Sequence, residues 1–354
     1  MNPKVSFGSV TFFLFALLLV AVCFWVQRSA SALYFGDTIT ITKTGQPSLS
    51  SKIDTTENGS VYVVWADKNR VYLRASYDNG TKFGPTNTLS DNNSIATSPQ
   101  IAATENGNVY VVWVNKNSTS GDTDIAFVSA YKGENFSKTK ALSTTDTQLL
   151  SSSSPQIAAT ENGNVYVVWV NENSTSGDTD IVFRASTTSG EKFTRKVLSR
   201  DASPSSLSLA LSPQIAATEN GNVYVGWIDK NTVNGDSTIL FDTSSSGGEN
   251  FTTKRIDDFD GDLALPSMSP KIAASELGDI YAAWVGTVTQ FIEMVEDPYI
   301  RDETVLLSNR PSVSTSPQIA ATENGNVYVV WADKNSRGGD YELQFKRISK
   351  SLFI

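Results

Sequence analysis

The chain contains no histidine and a single cysteine, Cys23, which sits inside an apolar run near the start. Beyond residue 32 there is therefore no disulfide, no imidazole base and no thiolate nucleophile. Ser-His-Asp and Cys-His catalysis are excluded, as are zinc sites built on His or Cys. Chemistry is left to Asp, Glu, Tyr, Lys, Arg, Ser and Thr, or to an oxygen-ligated metal. Cationic charge is also scarce. Against 37 Asp and Glu stand 28 Lys and Arg in 354 residues, a net charge of −9. Such a surface repels phosphate backbones, which argues against nucleic acid as a partner.

Long apolar runs are absent except for Val10–Val26, which follows Lys4 and precedes Arg28 and Ala30-Ser31-Ala32. A positive start, an apolar middle and an Ala-x-Ala ending read as a secretory signal cleaved after Ala32. The run also approaches the length of a bilayer span, so an uncleaved anchor helix is the alternative. Both readings place residues 33–354 outside the cytoplasm, secreted or tethered by residues 10–26. Cleavage would remove Lys4 and Arg28 and leave a net charge of −11.

The rest of the chain is a repeat. Ser98-Pro-Gln-Ile-Ala-Ala-Thr-Glu-Asn-Gly-Asn-Val-Tyr-Val-Val-Trp113 returns nearly letter for letter, ending at Trp169, Trp227 and Trp331. Looser copies end at Trp65 and Trp284, and the steps between Trp residues are 48, 56, 58, 57 and 47. Periods of this length point to propeller blades. Gln100–Thr104 reads as a short strand of small residues suited to a crowded centre. Asn106-Gly107 reads as a two-residue type I′ hairpin with no further role. Val109–Val114 is a β-branched and aromatic strand, Ile125–Ala130 a third, and the stretch after Phe136 a fourth. The repeated Trp and Tyr read as staples between blades.

These units predict an all-β, six-bladed β-propeller of four-stranded blades. The last unit stops after its third strand, and the chain opens on a surplus one, Phe35–Ile41. Its Phe-to-Ile spacing matches Phe83–Leu89 and Phe136–Leu142. The N-terminal strand is therefore expected to complete the last blade and close the ring.

The turn Ser76-Tyr-Asp78-Asn-Gly80-Thr-Lys-Phe83 resembles the Asp box of sialidase-like (BNR-repeat) propellers. Degenerate copies stand at Ser129–Phe136, Ser186–Phe193 and Ser244–Phe251, keeping Ser, Gly and the aromatic while losing the Asp. The texture of the repeats is similar to surface proteins of ammonia-oxidising archaea. The resemblance spans residues 33–354 and implies a structural role for the Asp box. It also implies an activity that needs an arginine triad, a Tyr-Glu nucleophile and an Asp acid/base. That set is not found: Lys52-Ile53-Asp54 stands where an arginine motif is expected, and Arg74 and Arg184 fall on third strands.

No catalytic residue is assigned. The starts of the inner strands carry Lys52, Gln100, Gln156, Gln214, Lys271 and Gln318, a ring able to hydrogen-bond a sugar. Tyr299 and Arg301 fall in the one stretch, Phe291–Asp302, where Glu, Tyr, Arg and Asp gather, and they join the glutamines as binding candidates. The loops Asn115–Asp124 and Asn171–Asp180 are rich in Asp and Asn, a Ca²⁺ site or Asx-capped turns. Asp257-Asp258-Phe-Asp260-Gly261-Asp262 resembles a calcium loop, with Asp258, Asp260 and Asp262 as ligands. A distal bidentate Glu is missing, so a solvated acidic loop competes with that reading. The expected function is non-catalytic binding of a glycan or surface protein at the channel mouth. The alternatives are a diverged sialidase-like exo-glycosidase and a structural cell-surface module, and the oligomeric state is left open.

Overall fold

The computed structural model describes residues 38–42, 49–67, 69–92, 94–143, 150–173, 177–199, 208–231, 237–255, 268–275, 279–285, 289–294, 303–307, 313–322, 326–334 and 341–348. Residues 1–43 and 44–354 form separate units. In the first, Thr38–Thr42 carry no strand. The signal or anchor segment and Phe35–Asp37 of the expected closing strand lie outside the described residues. Among the described residues no helix is long and apolar enough to cross a membrane.

The second unit is all β and propeller-like, a succession of antiparallel meanders. Repeat one runs Leu49–Thr55, Val61–Asp67, Arg70–Ser76 and Asn87–Thr88. Repeat two runs Ser94–Ala103, Asn108–Asn117, Thr123–Tyr131 and Lys140–Ala141. Repeat three runs Leu150–Ala159, Val165–Asn173, Thr179–Ser186 and Thr194–Val197, and repeat four Ser208–Ala217, Val223–Asn231, Ser237–Ser244 and Thr252–Arg255. Repeat five runs Met268–Ala274, Ile280–Val285, Thr289–Met294 and Glu303–Leu306; repeat six has Val313–Ala321, Val327–Lys334 and Tyr341–Ile348. Repeats two to four merge into one 12-stranded sheet. They join through single parallel pairs, Thr123 with Ser151 and Thr179 with Leu209. The first strands pack one on the next from repeat one to repeat six, so they form the inner layer.

Each repeat buries both faces because its second strand alternates between two neighbours. Val109, Val111 and Trp113 pack back on Tyr62, Val64 and Leu73 of repeat one. Tyr110, Val112 and Phe127 pack forward on Val165, Val167 and Trp169 of repeat three. The pattern continues with Tyr166, Val168 and Phe183 against Val223, Val225 and Trp227. All six repeat Trp residues are buried, as sequence predicts. Each such side chain removes roughly 150–250 Å² from water, worth at most about 4–6 kcal/mol of transfer free energy.

The terminal faces differ. Leu343 and Phe345 hold the register positions of Ile125 and Phe127. The latter pair is fully buried, whereas Leu343 is 80% and Phe345 66% exposed. On the leading face of repeat one, Ile53 is 64% exposed.

The hairpins correct one expectation. A type I′ turn needs positive φ at both central residues, yet Gly107 has φ +94° while Asn106 is not in that region. The loop has three residues instead, with Gly107 N–H donating to Thr104 O and Thr104 N–H to Asn108 O. This is a type I turn closed by a glycine bulge, and repeats one, three and four use the same one. Gly107 is required there because a bulge residue at this φ has little room for a Cβ.

The hairpins also do more than turn. The Glu105 carboxylate accepts from Glu57 N–H at 2.5 Å and Asn58 N–H at 3.4 Å in the preceding repeat. Glu161 binds Glu105 and Asn106 in the same way, and Glu219 binds Glu161. The Thr-Glu-Asn-Gly loops of repeats two, three and four are thus each latched to their predecessor by a carboxylate. Replacing Glu161 by Ala is expected to lower stability by about 1 kcal/mol, since these charge-assisted bonds are exposed to water. Glu161→Gln, which keeps one acceptor oxygen, should lose less. Urea denaturation midpoints of the two variants check this.

Candidate functional site

A bulge in every inner strand sets the register of the candidate ring. In repeat two Thr97 pairs with Val114 and the next pair is Gln100 with Val112, so Ser98 and Pro99 together face Trp113. Ser98 has φ +52°, and Ser50, Ser154, Ser212 and Ser316 repeat it at +53° to +55°. Proline, lacking an N–H, is tolerated at such a bulge, and the bulge re-aims the residue that follows. That residue is Lys52, Gln100, Gln156, Gln214, Lys271 or Gln318, each the first pair after the irregularity.

One contact joins two of these positions. Lys271 Nζ donates to Gln214 Oε1 at 3.3 Å, joining repeats five and four. Partial burial and the nearby ammonium of Lys52 pull the Lys271 pKa below its ordinary value. Gln100, Gln156 and Gln214 are half-buried, while Gln318 and Lys52 are exposed.

One residue here was passed over in the sequence. Asp54 is the one carboxylate in the six inner strands. Its position is held by Ala102, Ala158, Ala216, Ala273 and Ala320 in the other repeats. Asp54 accepts from Ala103 N–H at 2.7 Å and from Thr55 N–H at 2.9 Å. Burial nevertheless pushes its pKa up, outweighing those two bonds. A departure confined to one repeat was the signal available for it.

The remaining candidates separate cleanly. Arg74 clamps its own turn, donating from Nε to Gly84 O at 2.8 Å and from Nη2 to Phe83 O at 2.9 Å. It belongs to a third strand, as does Arg184. In the Asn115–Asp124 loop, Asn117 Oδ1 accepts from Thr119 N–H, and Asp124 accepts from Ser143 Oγ. The first caps the turn and the second ties the third strand to the end of the fourth; among the described residues no group of three His, Cys, Asp or Glu is assembled to hold a metal. Asp258, Asp260 and Asp262, and also Tyr299 and Arg301, lie outside the described residues.

The turn at Ser76 is held by Ser76 Oγ donating to Asp78 Oδ1 and accepting from Gly80 N–H, with Lys82 N–H on Asp78 Oδ1. In repeats three and four the hydroxyls of Thr188 and Ser246 take the carboxylate's place. The turn therefore survives without its Asp, and all three copies lie between third and fourth strands, away from the inner ring.

No protein-family model and no curated protein matches this chain. Solved structures do. The α-L-arabinanase of Penicillium chrysogenum complexed with arabinobiose is 12% identical, with a TM-score of 0.52 over 85% of this chain and 93% of that one. A PL25 ulvan lyase bound to -[GlcA(1-4)Rha3S]- gives 12% and 0.54, over 84% and 79%. The leech intramolecular trans-sialidase with 2,7-anhydro-Neu5Ac gives 10% and 0.54, over 90% and 70%. At these identities the likeness is one of fold alone, that of a β-propeller.

Proposed function

We propose that this chain is a glycan-acting, six-bladed propeller that engages a saccharide at the inner-strand ring. The observation that carries the proposal is the single register position shared by Lys52, Gln100, Gln156, Gln214, Lys271 and Gln318, with Lys271 and Gln214 in contact. Amides and ammonium groups suit the dense hydroxyls of a sugar. Arabinobiose, a uronate-rhamnose repeat and an anhydro-sialic acid in the neighbours' sites support the same class of ligand.

These neighbours favour processing over binding alone. In that reading Asp54, a half-buried acid with a raised pKa, is the proton donor. Glycoside hydrolysis ordinarily needs a second carboxylate or a substitute nucleophile. The lone acid among the inner strands is what favours the second reading, a non-catalytic glycan or surface-protein binder.

The rest of the proposal concerns placement. The exposed Leu343, Phe345 and Ile53 support closure of repeat six on repeat one. Residues 1–32 export the chain, as a cleaved signal or an anchor. Asp258, Asp260 and Asp262 are proposed to bind Ca²⁺.

The test is hydrolysis or cleavage of a panel of arabinosides, sialosides and uronides by the full chain, with and without Ca²⁺. Turnover that Asp54→Asn abolishes, while calorimetric saccharide binding persists, is the expected result. Binding without turnover would select the non-catalytic reading. Neither binding nor turnover by folded protein would sink both saccharide readings and leave the surface-protein binder.

A further inference from the structure

We infer that the inner-strand ring selects an acidic saccharide, one bearing a carboxylate or sulfate, through Lys52 and Lys271. This rests on the glycan reading above and narrows it. Four of six repeats place a neutral Gln at the ring position, and repeats one and five replace it with Lys. The repeat fold does not require cations there, since its other copies do without them.

The two lysines are also arranged at a cost. Burial weighs most on the Lys271 ammonium, and the charge of Lys52 adds to that load. Two like charges brought together without a neutralising group repel, so the pair gains from an anion placed between them. Asp54, on the same strand as Lys52, is directed at the N–H groups of Ala103 and Thr55. Lys271 is instead held by an uncharged acceptor, Gln214 Oε1, 3.3 Å away. That geometry fixes the ammonium at the ring and leaves its charge for a ligand. In a chain of net charge −9 the local reversal of sign supplies selectivity, since the general surface repels anions while the ring attracts them.

The experiment is calorimetric titration of the full chain with an oligogalacturonate and with a neutral arabino-oligosaccharide of equal length, at low and high salt. The variant is Lys52→Gln with Lys271→Gln, which installs the residue found at this position in the other four repeats and so conserves the fold. Wild type is expected to bind the acidic sugar at least about tenfold more tightly than the neutral one, with the margin shrinking as salt screens it. The double variant should lose that margin, its affinities for the two sugars converging. Equal affinity for the two sugars in wild type, or an acidic preference untouched by the double substitution, would overturn the inference while sparing the glycan reading. Binding of neither sugar would overturn both.

Discussion

Asp242→Asn should make the protein more stable at pH 7.5, with a several-fold smaller gain at pH 4. Asp242 lies on the third strand of repeat four, in register with Val225 and Thr253. It is 2% exposed, and its Oδ1 meets no hydrogen-bond donor. Burial raises its pKa from 3.8 to about 6, a shift that a bond with Thr253 only partly offsets. The sign follows from the native state holding the proton more tightly than the unfolded chain. The contribution is fully present below about pH 4, declines as pH rises and is lost above about pH 6. Two pKa units correspond to about 3 kcal/mol. The amide cannot ionise, so the variant escapes this loss, and the difference between the two proteins isolates Asp242 from every other carboxylate. Urea midpoints across pH 4–8 should show the curves meeting at low pH and diverging by up to about 3 kcal/mol above neutrality. Parallel curves would mean that the buried carboxyl is neutralised by other means.

The architecture was legible because each element is spelled several times. A Val-Tyr-Val-Val-Trp strand read once is a weak signal; read at Trp113, Trp169, Trp227 and Trp331 it fixes a period and a shared role. What the repeat hid were residues whose partners belong to another copy. Glu105 looks like ordinary turn composition until its carboxylate is seen on the N–H groups of Glu57 and Asn58. Asn106-Gly107 has the letters of a two-residue turn. The Thr104 hydroxyl on Asn106 Oδ1, at 2.7 Å, belongs instead to a loop one residue longer. The inner ring could be named by position, since a bulge recurs before each member. Its electrostatics could not, because the meeting of Lys52 with Lys271 depends on how the repeats curve in space. Asp54 was readable as an acid among alanines, but its burial was not.

Gly190→Ala is expected to cost about 3–5 kcal/mol, and Gly177→Ala only about 1–2. Both glycines have left-handed backbones, φ +80° and +78°, so both substitutions carry the same local strain. They differ in surroundings. A Cβ on Gly177 would meet nothing within 4 Å, whereas one on Gly190 would lie 2.3 Å from Phe127 Cζ and 2.6 Å from its Cε1. Phe127 cannot readily withdraw. It is fully buried, stacked on Tyr110 at 6.2 Å and met edge-on by Phe193 at 5.1 Å. Gly248 and Phe183 repeat the contact one repeat later, with Tyr166 and Phe251 as the flanking rings. The third-to-fourth-strand turn is therefore a clasp between repeats, in which an absent side chain lets the neighbouring aromatic ring seat fully. Thermal denaturation of the two variants tests this directly: equal losses would assign the glycine to backbone conformation alone. A loss confined to Gly190→Ala assigns it to the clasp, and Phe127→Leu in the same chain should then recover part of it by vacating the space the new methyl needs.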